Sequence, residues 1–343
     1  MGMSARLPAG YHSPQVDVDV RLNTNESPWG PSPRFVQRLQ EVLGELELNR
    51  YPDREALRLR AAVGERHGVG PESVLCTNGS NEAIQLMLAA AGGPQRRALV
   101  FTPGYALHPL LARRAGMEVI EFTRSEDFSL TDDMVRAAAS TSPDVLFLCR
   151  PNNPTGTLDP ESTVSAGSAV APLVVLDEAY AEFAGIEPAA PRPGTAVLRT
   201  FSKAFGLAGL RLGYAVAQPD LIAEMAERTL PYHLDAMKQA AGLAALELEA
   251  DLAARVDAIV AGREVLLAGL RSLGITVWES AANFLLFRPP GPASELWSGL
   301  LEHSVLVRDL SSLPGLEHCL RVTVGTDEEN RRFLDAISAI MGR

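Results

Sequence analysis

The sequence predicts an α/β protein: a large domain with a mostly parallel central sheet flanked by helices, and a smaller α+β domain. Three observations carry this. Between residues 98 and 217, apolar runs of four to six residues alternate with helical stretches, the pattern of buried parallel strands joined by crossover helices. After residue 273 the chain turns to closely spaced strand-like runs that end in one helix-like segment. A length of 343 residues also suits roughly two domains of about 150 residues each.

Taken in order, the first 35 residues are rich in Pro, Asn and Ser and read as an extended arm. Arg54 to Arg66 reads as a helix. Cys76-Thr-Asn-Gly-Ser-Asn-Glu reads as a turn into a second helix reaching Ala91, with Asn78 and Ser80 as caps. Strands are expected at Ala98–Thr102, Val119–Phe122, Val145–Cys149, Leu173–Leu176, Val197–Thr200 and Leu212–Ala217, with a helix at Leu107–Ala115. Leu234 to Leu273 is Ala-, Leu- and Glu-rich and forms one or two long helices. Strands at Thr276–Trp278, Asn283–Phe287, Val305–Val307 and Cys319–Val324, then a helix at Glu328–Met341, complete the smaller domain. The expected division is residues 1–45 as arm and part of the small domain, 46–245 as the large domain, and 246–343 as the rest of the small domain.

A net charge of −11 argues against a nucleic-acid surface, which needs a basic face. Local arginines still suit a small anion. Cys76, Cys149 and Cys319 are odd in number and show neither C-x-x-C nor zinc spacing, so no metal site is expected. They read as buried thiols in a reducing compartment. The N-terminus lacks an apolar signal core, and Arg6 stands where a myristoylation site needs Ser or Thr. No apolar run reaches the ~20 residues of a membrane helix. The expectation is a soluble cytoplasmic protein.

Chemistry concentrates at the ends of the predicted strands. Arg199-Thr-Phe-Ser-Lys-Ala-Phe-Gly-Leu-Ala-Gly-Leu-Arg brings a strand into a hydroxyl pair, then Lys203, a Gly-punctuated loop and Arg211. A lysine near a second cation can condense with a carbonyl, and Thr200, Ser202 and Arg211 suit a phosphate. A solvated loop lysine is the plainer reading. Asp177 ends the apolar run Leu173–Leu176, where the carboxyl ends of strands face a ligand crevice. A protonated pyridine nitrogen would pair with it; a helix cap or a metal-binding aspartate fits the residue equally well. Asn153, in Arg150-Pro-Asn-Asn-Pro-Thr-Gly, is held extended by the following proline, though a simple turn explains the segment too. Gly79, Ser80 and Asn81 open a helix whose N–H groups favour an anion, and a simple cap accounts for them as well. Tyr105 and Tyr180 also follow strand ends and are placed to meet a planar ring or merely to pack.

Seven segments, in order and spacing, resemble the fold-type I pyridoxal-phosphate (PLP) aminotransferases, and within them the histidinol-phosphate aminotransferase family. They are Leu22-Asn-Thr-Asn-Glu-Ser-Pro, Asn49-Arg-Tyr-Pro-Asp, Thr77-Asn-Gly-Ser-Asn-Glu, Asn152-Asn-Pro-Thr-Gly, Leu176-Asp-Glu-Ala-Tyr, Thr200-Phe-Ser-Lys-Ala-Phe-Gly-Leu-Ala-Gly-Leu-Arg and Leu320-Arg-Val-Thr-Val-Gly-Thr. The resemblance covers nearly the whole chain. It implies pyridoxal 5'-phosphate as cofactor, with Lys203 as Schiff-base lysine and proton shuttle and Asp177 as partner of the ring nitrogen. It makes Asn153 and Tyr180 donors to the ring hydroxyl, and Tyr105 the stacked ring. Gly79, Ser80, Asn81, Thr200, Ser202 and Arg211 would bind the phosphate, Asn81 through its backbone. Tyr51 would reach the phosphate of a neighbouring subunit, which implies a homodimer. Tyr11, Asn25, Arg308 and Arg321 would lie on the substrate side.

The implied reaction moves an amino group from histidinol phosphate to 2-oxoglutarate. Arg150 and His108 depart from the family's usual residues and leave substrate choice open. An aromatic amino-acid aminotransferase, a phosphothreonine decarboxylase of cobalamin synthesis and a non-enzymatic ligand-binding domain are the alternatives.

Overall fold

The computed structural model describes residues 16–342; Tyr11 lies outside them. The chain runs from strand β1 (Val20–Leu22) through helices α1 (Pro33–Gly44) and α2 (Leu57–His67) into β2 (Val74–Thr77) and α3 (Ser80–Ala91). It continues with β3 (Arg97–Thr102), α4 (Leu107–Arg114), β4 (Glu118–Thr123), α5 (Asp132–Ala137), β5 (Val145–Cys149), α6 (Glu161–Ser168), β6 (Leu173–Asp177), β7 (Thr195–Thr200), β8 (Gly213–Val216) and α7 (Pro219–Ala226). Helices α8 (Ala236–Glu247) and α9 (Ala250–Ser272) lead to β9 (Thr276–Val277), β10 (Phe284–Arg288), α10 (Ala293–Glu302), β11 (Val305–Asp309), β12 (Leu320–Thr323) and α11 (Asp327–Ile340).

Seven strands form one sheet in the order β2-β8-β7-β6-β5-β3-β4. Strands β3 to β7 pair in parallel, while β8 runs antiparallel to both β7 and β2. β5, β6 and β7 are buried along their whole length, because helices cover both faces of the sheet. One apolar cluster, around Ile84, Val100, Val175 and Leu198, fills one face. Another, around Leu99, Leu146, Val174 and Val197, fills the other. After β4 the chain crosses back over β3 to β5, so the strand order reverses there, and ligands gather at the carboxyl ends beside such a reversal.

A second sheet, β1-β11-β12-β10-β9, joins the N-terminal strand to the C-terminal ones. β1 pairs in parallel with β11, and the other pairs are antiparallel. The sheet is packed by α9, α10 and α11 through Leu266, Leu300 and Phe333.

Three local expectations need correcting. The extended arm ends earlier than residue 35, because Ser32 accepts the Phe35 N–H and Pro33 begins α1. Proline is at home at that position, where its missing N–H costs nothing. A strand, β2, precedes the turn at residue 78; its run Val74–Thr77 is only four residues long. Neither Asn78 nor Ser80 caps α3. Gly79 is the cap residue, at φ +82°, and no side chain bonds the first turn from that position. Asn78 instead gives its backbone N–H to Glu82 Oε2.

Candidate active site

The carboxyl ends of β3, β5, β6 and β7 open into a cavity of about 170 Å³. Its wall contains Ser80, Asn81, Tyr105, Asn153, Asp177, Tyr180, Thr200, Ser202, Lys203, Arg211, Asn25 and Arg321, all singled out in the sequence, together with Thr24, Cys149 and Ala179.

Lys203 follows β7 and projects under the N-terminal arm. Its Nζ donates to the Thr24 carbonyl at 3.0 Å and to the Asn25 carbonyl at 2.9 Å. Enclosure depresses the ammonium to about 7, and the positive charges of Arg321 and Arg211 act in the same direction, opposed only by Glu26. The amine is therefore protonated below about pH 7 and a free nucleophile above it. Its reaction with a small aldehyde should rise about tenfold per pH unit below that point and level off above it. A rise continuing to about pH 10 in a rate-against-pH series would put the amine in bulk water.

Asp177 ends β6 and is buried. Its Oδ1 accepts the Ala179 N–H at 3.1 Å, and its Oδ2 lies 3.0 Å from His108 Nε2. The His108 ring is itself fixed. It stacks on Phe147 at 4.6 Å and meets the edge of Tyr105 at 5.2 Å. With Nε2 donating to the carboxylate, His108 holds Asp177 in place.

One end of the cavity is built for an anion. The uncapped start of α3 brings Ser80 and Asn81 to the wall. Arg211, at φ +53°, turns its Nη1 to Ser202 Oγ at 3.2 Å. Ser202 N–H bonds Thr200 Oγ1 at 3.1 Å. Two glycines make room. A Cβ on Gly79 would stand 2.7 Å from Arg211 Nη2, and one on Gly213 would stand 2.4 Å from the Ser80 nitrogen.

Arg321, buried on β12, also lines the cavity. Its Nη1 donates to Asn153 Oδ1 at 2.6 Å and its Nη2 to the Asn23 carbonyl at 3.0 Å. Tyr180 lines the cavity as well, and burial pushes its phenol upward. Tyr105 donates its hydroxyl to Asn81 Oδ1 at 3.2 Å, so the Asn81 side chain is fixed at the cavity wall. Beneath the site, Arg199 on β7 grips Glu178 at 2.6 Å and Glu182 at 3.4 Å. That buried ion pair ties the tip of β6, with Asp177, to the tip of β7, with Lys203.

A planar molecule with an aldehyde, a ring nitrogen and a phosphate fits this donor set. An amine, a buried carboxylate and a cation-and-hydroxyl cradle share one cavity.

The family model described as aminotransferase class I and II matches residues 17–337. The chain belongs to that family. The histidinol-phosphate aminotransferase of Streptomyces avermitilis is 46% identical, over 95% of this chain and 92% of its own length. That of Thermobifida fusca is 42% identical, over 98% and 94%. Among solved structures, the histidinol-phosphate aminotransferase of Sinorhizobium meliloti, in complex with pyridoxal-5'-phosphate, superposes with a TM-score of 0.86 at 23% identity, covering 95% of this chain and 91% of its own. At that identity it speaks for the fold alone, which is the fold-type I architecture of two sheets described above.

Gly79, Tyr51 and Arg308 do not line this cavity in this aminotransferase, and of these Tyr51 was expected at a neighbouring subunit's site, not its own. Gly79 lies behind Arg211 and not in the cavity wall. Tyr51 is 80% exposed and stacks on Tyr232 at 4.5 Å, beside a separate surface hollow lined by Arg38, Arg50 and Gln239. Arg308 faces Arg321 across the β11–β12 ladder but does not line the cavity. Arg150 serves to fix its own loop. Its Nε donates to the Asp159 carbonyl at 2.7 Å and its Nη1 pairs with Glu161 at 3.0 Å. His108 is the functional residue whose place the sequence did not suggest. Its spacing of three from Tyr105, at the start of a helix, was the available signal.

Proposed function

We propose that this aminotransferase uses pyridoxal 5'-phosphate to transfer the amino group of histidinol phosphate to 2-oxoglutarate. The observation that carries the reading is one cavity lined by a deprotonatable amine, Lys203, a buried acid, Asp177, and two arginines, Arg211 and Arg321. The two relatives above, both named for histidinol phosphate, support the choice of donor.

When bound, the cofactor supplies an electron sink for the pair left when a substrate α-proton departs. The chain's residues supply the rest. Lys203 would hold the aldehyde group and would serve as the general base that takes the proton from the substrate's α-carbon. Asp177, steadied by His108, keeps a proton on the ring nitrogen. Ser80, Thr200, Ser202 and Arg211 bind the phosphate, with Gly79 clearing space for Arg211. Tyr180 and Asn153 would bind the ring hydroxyl, and Tyr105 would stack on the ring. Arg321 binds the anionic group of the substrate, with Arg308 beside it on the same sheet.

The proposal extends to a cytoplasmic homodimer, in which Tyr51 reaches the partner's cavity. Leu48 and Leu57, near Tyr51 in the chain, and Leu230 and Met237, near its stacking partner Tyr232, are exposed apolar side chains, a composition suited to an interface. The 45/46 and 245/246 domain boundaries and a substrate-side Tyr11 belong to the same proposal. Among the described residues no helix is long and apolar enough to cross a membrane.

Single-turnover half-reactions with a panel of amines test the substrate. Histidinol phosphate should react at least about tenfold more efficiently than phenylalanine, the margin of one charge-assisted contact. A faster reaction with phenylalanine would assign an aromatic amino-acid aminotransferase. Release of carbon dioxide from phosphothreonine without an oxo acid would assign a decarboxylase.

A further inference from the structure

Asn25 is buried and sits at φ +54°, a left-handed conformation that asparagine tolerates better than most residues. It joins three parts of the molecule. Its backbone N–H donates to Thr323 Oγ1 at 3.0 Å on β12, and its carbonyl accepts from Lys203 Nζ and, at 3.2 Å, from Asn283 Nδ2. Its side-chain Nδ2 donates to the Tyr180 hydroxyl at 2.9 Å.

The orientation of that amide follows from its neighbours. Thr323 Oγ1 accepts the Asn25 backbone N–H and donates its own hydrogen to Asn25 Oδ1 at 3.3 Å. In that arrangement the nitrogen end faces Tyr180. Asn153 is constrained likewise, because an arginine only donates. Arg321 Nη1 claims Asn153 Oδ1, and Asn153 Nδ2 is left to donate to the Tyr180 oxygen at 3.2 Å. Two N–H donors therefore occupy the phenol oxygen. Among the described residues no acceptor takes its hydrogen, and Tyr180 lines the cavity.

We infer that Asn25 is a positioning residue, which with Asn153 compels the Tyr180 hydroxyl to donate its hydrogen into the cavity. This rests on the reading that the cavity holds the cofactor, whose ring oxygen would be the acceptor. It changes the role expected for Asn25, from touching substrate to aiming Tyr180. The charged and titratable groups around the phenol are Arg321, Asp177, Cys149 and Lys203, whose Nζ is 5.8 Å from the ring centroid.

The test is an absorbance titration of the cofactor-loaded protein, which needs no substrate. A phenol donating into the cavity stabilises an anionic oxygen there and keeps the midpoint of the visible band low. Asn25→Gly keeps the backbone contacts and the positive φ but removes the donor. It should raise the midpoint by about half a pH unit or more, the effect of one hydrogen bond. Asn25→Asp keeps volume and backbone, puts an acceptor against the phenol, and should raise it further. In a Tyr180→Phe background the Asn25→Gly shift should shrink to about 0.2 unit or less, since there is no hydroxyl left to aim. An unchanged midpoint in Asn25→Gly, or an equal shift in the Tyr180→Phe background, overturns the inference. A loss of thermal stability with no midpoint shift would mark a merely structural residue and overturn it too. A parent protein with no pH-dependent visible band overturns both this inference and the cofactor reading, so the two failures are told apart.

Discussion

Lys203→Ala leaves a folded protein whose transamination falls by at least about three orders of magnitude, within the range that a positioned acid–base group supplies. The variant removes both the atom that holds the aldehyde and the base that takes the α-proton. It also removes two hydrogen bonds, to the carbonyls of Thr24 and Asn25, so some loosening of the arm is expected. The fold itself should survive, because enclosure already works against the charged form of this side chain. Steady-state kinetics and a visible spectrum of the loaded protein check the result together. Activity should vanish along with the absorbance of lysine-bound cofactor, while the melting transition stays cooperative. Lys203→Arg should be equally inactive, since a guanidinium keeps the charge and cannot condense. Full turnover by either variant would remove Lys203 from the chemistry.

Asp177→Asn has the second largest effect. The amide matches the carboxylate in shape and keeps one of its two contacts, to Ala179 N–H or to His108 Nε2. It cannot hold a proton on a ring nitrogen. The expected outcome is a fall in kcat of about 10²–10³, the size seen when a preorganised charge is withdrawn from a buried site, with KM changed little. Asp177→Glu keeps the charge and should recover part of the loss, limited by the misplacement of a longer side chain. A kcat for Asp177→Asn within about threefold of the parent, measured under saturation, would show that no charge is needed there.

Much of the site was legible because its parts sit at fixed offsets from local signals. An apolar strand followed at once by a polar residue places that residue at the carboxyl end of a sheet. Asp177 after Leu173–Leu176 obeys this; after Val145–Cys149 the adjacent Arg150 fixes its loop instead, and it is Asn153, four residues on, that lines the cavity. The Gly-punctuated run from Lys203 to Arg211 announced a tight loop, and it closes with Arg211 beside Ser202. The absent cap on α3 was less legible. Asn78 and Ser80 have the right chemistry for caps, yet Glu82 takes the Asn78 N–H and Gly79 holds the cap position. Strand β2 was less legible because it runs straight into the polar turn at residues 77–79, and it completes the sheet edge by pairing with β8.

The sequence by itself determined which strands are buried, where the chain turns polar at their ends, and which amine, acid and arginines are available. Those properties depend on neighbours a few residues away. Tertiary structure alone decided what each of these groups touches. Lys203 is held by carbonyls 178 and 179 positions distant, and Asp177 by a histidine 69 positions away. Tyr180 is aimed by amides 155 and 27 positions off. The physical reason is that a hydrogen bond has a range of about 3 Å in space and none along the chain. Only the packing of the arm and the second sheet over the first brings those partners within reach.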